Sequence, residues 1–73
     1  MKRITPIFLL KNGFERSEDS SKYLYFRDDL IVDFGYSIKP NQIPYVTWNY
    51  GKKVTLHISN RDELLQAVKM FDI

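Results

Sequence analysis

The sequence predicts an α+β fold, with a short N-terminal helix, a four- to five-stranded antiparallel meander, and a C-terminal helix packed on the same face of the sheet. Helix-capping signals near both ends of the chain predict the two helices. The clearest strand signal is residues 30–38, where a β-strand would turn successive side chains to opposite faces. Every second side chain there is apolar: Leu30, Val32, Phe34, Tyr36 and Ile38. The sheet is therefore expected to be covered on one face only.

Length and composition limit the chain to one small domain over residues 1–73. A hydrophobic fraction of 44% and eleven aromatic side chains (five Phe, five Tyr and one Trp) make a core feasible. Cysteine is absent, so neither disulfides nor a thiolate metal site supplement that core. A net charge of +2 is low for a duplex-DNA binder.

The first helix is predicted from about Pro6 to Asn12. Thr5 is suited to the N-cap and Pro6 to the first helical position, where its missing N–H costs nothing. Gly13 supplies the left-handed conformation that ends the helix. The residues expected to face the sheet are Ile7, Leu10 and Phe14, with Ile4 packing against Leu9 as a hydrophobic staple.

The strands are predicted from a hydrophobic period of two between residues 14 and 58. The segments between them are rich in turn-forming residues. The predicted strands are residues 14–17, 22–27, 30–38, 45–49 and 53–58.

The second helix is predicted to begin after Asn60. Asn60 is a suitable N-cap, Glu63 completes a capping box, and Asp62 complements the helix dipole. Its apolar stripe consists of Leu64, Val68 and Phe71, flanked by Leu65 and Ala67.

Two hairpin registers follow from burial, because a slip of one residue moves every side chain of a strand to the other face. In the last hairpin, a three-residue loop over residues 49–51, with Gly51 left-handed, pairs Val46 with Val54. That choice places four apolar side chains on one face: Val46, Trp48, Val54 and Leu56. A two-residue loop would pair Val46 with His57 instead.

The turn at Asp28 and Asp29 is harder to assign. An odd-numbered loop buries Leu24 and Phe26, whereas an even-numbered loop buries Tyr23 and Tyr25. The odd loop is favoured here, which leaves both tyrosines on the open face.

With these registers, the open face is rich in tyrosine, lysine and arginine. Its predicted members are Tyr23, Tyr25, Arg27, Ile31, Lys39, Tyr45, Thr47, Lys53, Thr55 and His57, with Glu15 and Asp33 diluting the positive charge. Tyrosines interleaved with cations suit a surface for protein partners. They also suit a platform on which single-stranded nucleic acid stacks. A third interpretation is that tyrosine is simply a good strand former.

The sequence offers little for catalysis, cofactors or metals. His57 is the only histidine, and it would need Asp33 as an orienting carboxylate and a nucleophile that nothing nearby supplies. Asp28, Asp29 and Asp33 lack the spacing of a calcium loop. The three glycines are too far apart to cradle a phosphate. No enzyme activity, cofactor or metal is therefore expected.

Two segments carry a resemblance to a known group of proteins. Residues 4–14, a Thr-Pro-capped helix ending in Lys-Asn-Gly and an aromatic, resemble the opening of small uncharacterised proteins from bacterial mobile elements and prophages. Residues 62–73 are similar to their closing helix, which is rich in Leu, Gln and Ala, although Asp72 stands where a glycine is expected. The resemblance covers about a third of the chain. It implies the two helical ends and no biochemical activity.

The sequence thus predicts a small non-enzymatic interaction protein, encoded by a mobile element, that binds a protein partner or a second copy through its open face or an edge strand. Single-stranded nucleic acid is the alternative partner.

No membrane-spanning run is present, and the N-terminal apolar segment is too short and too interrupted for a signal peptide, so a cytoplasmic protein is expected. The proposed partner-binding residues are Tyr23, Tyr25, Arg27, Tyr45, Lys53 and His57.

Overall fold

Two helices pack on one face of a five-stranded antiparallel sheet. The structure is a computed structural model that describes residues 2–18 and 20–71, without the side chains of residues 50 and 71. The predicted α+β fold and its meander are confirmed. The strands lie in chain order across the sheet. The elements are α1 (Pro6–Lys11), β1 (Glu15–Arg16), β2 (Leu24–Arg27), β3 (Leu30–Asp33), β4 (Tyr45–Tyr50), β5 (Lys52–Leu56) and α2 (Arg61–Phe71).

Helix α1 has the predicted caps at both ends. Thr5 Oγ1 accepts a hydrogen bond from the Phe8 N–H at 3.2 Å. Gly13 has φ +83°, and the Phe14 N–H beyond it donates to the Leu9 carbonyl at 3.0 Å, as in a Schellman motif. The helix ends at Lys11, one residue before the predicted end.

The buried side of α1 differs from the prediction. Leu9 is fully buried, and Ile4 and Phe14 join it in the core. Ile7 is 67% exposed and Leu10 is also exposed, so their predicted contact with the sheet is wrong. A helix of six residues presents only a narrow strip to the sheet, and Leu9 occupies that strip.

Helix α2 begins as the capping signal predicts. The Asn60 Oδ1 accepts from the Glu63 N–H at 3.0 Å, and Asn60 Nδ2 donates to Glu63 Oε1 at 2.8 Å. Of the predicted stripe, Leu64, Ala67 and Val68 are buried and Leu65 is exposed, whereas the Phe71 side chain lies outside the described residues.

Arg61, the first residue of α2, connects the two helices. Its N–H donates to the Lys2 carbonyl at 3.1 Å, and its guanidinium donates to the Arg3 carbonyl and to Thr5 Oγ1. The same guanidinium lies 4.7 Å from the centre of the Phe8 ring, a cation–π distance. One side chain thus ties the segment before α1 to the start of α2.

Strand β3 is shorter than residues 30–38. The Phe34 N–H and the Gly35 carbonyl still form backbone hydrogen bonds with Tyr23. Gly35 has φ +79° and its N–H donates to Asp33 Oδ1 at 2.7 Å, so the chain turns away from the sheet at Gly35. Tyr36 and Ile38 consequently lie exposed in the following loop, and their predicted place in the core is wrong. The alternation of apolar residues continues past the point where a left-handed glycine ends the strand.

The hairpin of β4 and β5 keeps the four predicted apolar side chains on one face but with a different pairing. Val46 is buried, Trp48 and Leu56 are half-buried, and Val54 is 38% exposed, so its expected burial is wrong. Val46 pairs with Leu56 and Trp48 with Val54, so the predicted pairing of Val46 with Val54 is wrong by two residues. A shift of two preserves the faces. Gly51 has φ +76°, as the predicted turn requires.

The hairpin of β2 and β3 has an even-numbered loop, so the predicted odd-numbered loop is wrong. Asp28 and Asp29 form a two-residue connection, and Tyr25 pairs with Val32. Tyr25 is only 5% exposed, whereas Phe26 on the opposite face is 38% exposed. Asp28 takes φ +51°, a conformation that aspartate tolerates better than most residues. The tight turn is therefore available without glycine.

Burial of Tyr25 allows it to pack within the core. Its ring meets the Phe34 ring edge to face, with centroids 5.8 Å apart, an arrangement that contributes beyond area burial alone. The buried core cluster consists of Ile4, Leu9, Phe14, Tyr25, Leu30, Val32, Phe34, Val46, Leu64 and Val68. In the described part of the chain, no helix is long and apolar enough to cross a membrane.

Tyr25→Ala is expected to lower the free energy of unfolding by about 3 kcal/mol, because it removes a buried ring and leaves a cavity. Phe26→Ala is the matched control, and its expected effect is about 1 kcal/mol or less because Phe26 is partly exposed. Urea unfolding followed by tryptophan fluorescence measures both values. The opposite ranking would mean that the β2–β3 register is shifted by one residue.

Candidate interaction surface

The open face is the side of the sheet opposite the two helices. Side chains of directly paired residues share a face, so the observed registers define its members. They are Glu15, Leu24, Phe26, Ile31, Asp33, Tyr45, Thr47, Asn49, Lys53 and Thr55. One row crosses all five strands and runs through Glu15, Phe26, Ile31, Thr47 and Thr55.

The middle of the open face is apolar. Phe26 is 38% exposed and Tyr45 is 71% exposed. Leu24, Ile31 and Thr47 are half-buried. Both helices lie on the other face, so neighbours within the sheet and the adjoining loops supply this partial cover. The apolar side chains are thus accessible to a flat partner.

The charges of the open face are separated across the sheet. Glu15 is exposed on β1 at one edge, and Lys53 is exposed on β5 at the other edge. Asp33, on the central strand, is half-buried, and its carboxylate accepts the Gly35 N–H. The face therefore has an acidic residue at one edge and a basic residue at the other, and its apolar middle is interrupted by one carboxylate that is held in a turn.

Three of the six predicted partner-binding residues lie on the covered face. Tyr25 is buried, and Tyr23 is half-buried with the Arg16 guanidinium 4.7 Å from its ring centre. Arg27 Nη1 donates to the Asn12 carbonyl at 2.9 Å, at the carboxyl end of α1. Their predicted exposure on the open face is wrong because the β2–β3 register differs by one residue.

The other three predicted residues are exposed. Tyr45 and Lys53 lie on the open face as expected. His57 follows the last residue of β5 and lines a shallow groove of about 340 Å³ together with Ile43 and Tyr45. Lys39, also predicted on the open face, instead lies in the loop after β3, where its N–H donates to Gln42 Oε1.

Sequence reasoning missed Leu24 and Phe26 as surface residues. Both were assigned to the core because burying leucine and phenylalanine is more favourable than burying tyrosine. The signal that favours the observed register is the turn itself. Two adjacent aspartates tolerate the backbone of a two-residue hairpin loop, and two-residue loops are the commonest connections between antiparallel strands.

The structure does not bring together a catalytic pair at His57. Asp33 lies on β3 and pairs with Tyr45 of β4, which separates it from β5 and His57. Its carboxylate oxygen is engaged by the Gly35 N–H at 2.7 Å, which indicates a role in the turn. Among the described residues, no group of three or more His, Cys, Asp or Glu side chains could hold a metal ion.

Comparison with known proteins adds no assignment. No protein-family model, no curated protein and no solved structure matches this chain. The geometry of the open face is therefore the basis for a functional proposal.

Asp33→Ala is expected to lower the free energy of unfolding by about 1 kcal/mol, because the Gly35 N–H loses its acceptor. Asp33→Asn retains an acceptor oxygen at the same position and should change stability by less. Urea unfolding compares the two variants. Equal losses for Ala and Asn would show that the carboxylate charge, rather than the hydrogen bond, matters at this turn.

Proposed function

We propose that this protein is a non-enzymatic interaction protein that binds a protein partner through its open face. The observation that carries the proposal is the apolar middle of that face, where Phe26 and Tyr45 project beside the half-buried Ile31. Aromatic side chains at the centre of an exposed patch are the usual anchors of protein interfaces. The polar residues at its two edges resemble the rim of such an interface.

A protein partner fits the open face better than single-stranded nucleic acid. A nucleic acid platform needs rings for stacking and cations for the phosphates. Tyr23, Tyr25 and Arg27 lie on the covered face, which removes two rings and one cation from the predicted platform. Lys53 remains, but two carboxylates share the face with it, namely Glu15 and Asp33.

The open face is also a better docking surface than the exposed sheet edge. Strand β5 forms one edge of the sheet, and all its residues except the last are exposed. Two of them are Lys52 and Lys53. Lysines on an edge strand are a common device against pairing with another strand, so the edge carries a feature that opposes association.

Ile31→Glu is expected to abolish binding of a partner captured by the tagged wild-type chain from lysates of the cells that produce it. The substitution places a charge at the centre of the apolar patch, where a buried charge without a partner is strongly unfavourable. Quantitative mass spectrometry compares captures by the wild type and the variant. Circular dichroism and urea unfolding first establish that the variant folds.

Ile7→Glu is the matched control, since Ile7 is an exposed isoleucine on α1, away from the open face. Capture should survive this change. Proteins retained equally by both variants would argue against the open face. Binding of a fluorescent single-stranded oligonucleotide that weakens steeply with added salt would support the nucleic acid alternative instead.

A further inference from the structure

We propose that a small cleft between the start of α1 and the loop after β3 binds a phosphate group, either of a phosphate monoester or of free phosphate. The cleft has a volume of about 150 Å³, and Arg3 and Lys39 line it from its two sides. None of its lining residues belongs to the open face. The phosphate site is therefore independent of the proposed function and extends it.

The charged groups in the cleft are all positive. Among the described residues, Arg3 and Lys39 are the charged side chains that line the cleft, and no Asp or Glu side chain does. Neither cation has a hydrogen-bond or ion-pair partner within the described part of the chain. The sequence around Lys39 is also free of acids, since residues 34–61 contain no Asp or Glu. An anion in the cleft would thus meet two cations that no carboxylate neutralises.

The side of the cleft that carries Lys39 is fixed by Gln42. Gln42 Nε2 donates to the carbonyl of the buried Phe34 at 2.6 Å, and Gln42 Oε1 accepts from the Lys39 N–H at 2.9 Å. Pro40 and Asn41 occupy the middle of the turn between these residues, and Asn41 has φ +65°. Proline followed by a left-handed asparagine is the pattern of a type II turn. One amide therefore ties the turn that presents Lys39 to the core.

The side of the cleft that carries Arg3 is fixed by Arg61. The Arg61 guanidinium donates to the Arg3 carbonyl and to Thr5 Oγ1, which also lies in the lining of the cleft. Ile4, the neighbour of Arg3, is buried in the core. The backbone on both sides of the cleft is thus ordered before a ligand arrives, which reduces the entropy that binding costs.

The size of the cleft and its two cations favour a phosphate group as the ligand. A volume of 150 Å³ equals that of about five water molecules at roughly 30 Å³ each, and drug-sized ligands need pockets of about 300 Å³ or more. A phosphate monoester carries a charge of about −1.5 to −2 at pH 7, which suits two cations better than the single charge of a carboxylate. The arginine fork can bind two phosphate oxygens at once, and lysine adds a point charge.

Apolar side chains beside the two cations favour a monoester over free phosphate. The exposed Ile38 lines the cleft together with Pro6 and Pro40. The carbon group of a monoester would cover these side chains and remove apolar surface from water. Free phosphate has no such group, so we expect it to bind at the same place more weakly.

Titration with phenyl phosphate, followed by ¹H–¹⁵N correlation spectra at constant ionic strength, tests the site. The backbone N–H signals of Arg3, Lys39 and Asn41 should shift and saturate. Arg3→Gln and Lys39→Gln should each raise the dissociation constant about tenfold, because each removes a charge-assisted hydrogen bond. Lys52→Gln is the matched control, since it removes the same charge from an exposed lysine of β5 outside the cleft. Its dissociation constant should equal that of the wild type.

Inorganic phosphate is the second arm of the titration. It should shift the same signals with a higher dissociation constant than phenyl phosphate. Equal constants for the two ligands would identify free phosphate as the ligand, with the phosphate site unchanged. Shifts that do not saturate, or a loss of affinity in Lys52→Gln as large as in Arg3→Gln, would show general charge attraction and overturn the site. Circular dichroism establishes that each variant folds. Ile31→Glu should bind phenyl phosphate like the wild type, so the open face and the cleft can fail separately.

Discussion

The two-residue turn at Asp28 and Asp29 is the constraint on which the two faces of this sheet depend. It pairs Arg27 with Leu30 and thereby assigns every side chain of β2 to a face. With this turn, Tyr25 packs against Phe34 in the core, while Phe26 projects from the open face. A turn longer by one residue would exchange those roles. This one connection therefore determines the chemistry of the open face. The face is apolar in its middle, whereas the predicted face was cationic and rich in tyrosine.

Two short helices are enough to cover one face of the sheet. Helix α1 has six residues, well below the length at which an isolated helix is stable. Caps at Thr5 and Gly13 satisfy its ends, and Leu9 is its fully buried anchor. Arg61 then joins the segment before α1 to α2 through hydrogen bonds and a cation–π contact. Both helices cover the same face, which leaves the other available for contact.

Local signals in the sequence predicted the elements well because their causes are local. The caps of α1 and α2 and the left-handed Gly51 each depend on residues within a few positions of one another. Strand β3 was predicted too long because the alternation continues beyond Gly35. The register at Asp28 differs from the prediction because the geometry of the two-residue turn outweighs the burial of Leu24 and Phe26. Three of the six candidate site residues were misplaced for that reason, since a register error moves a whole strand at once.

The β2–β3 pairing can be measured directly by nuclear Overhauser effects between Hα protons of opposite strands, which are strong at the non-hydrogen-bonded pairs of an antiparallel sheet. The account predicts a cross-peak that joins Tyr25 to Val32 or Phe26 to Ile31, since one of these adjacent pairs must be of that type. A cross-peak that joins Val32 to Leu24 or to Phe26 would contradict it. The tyrosines would then lie on the open face, and the apolar surface described above would belong to the core.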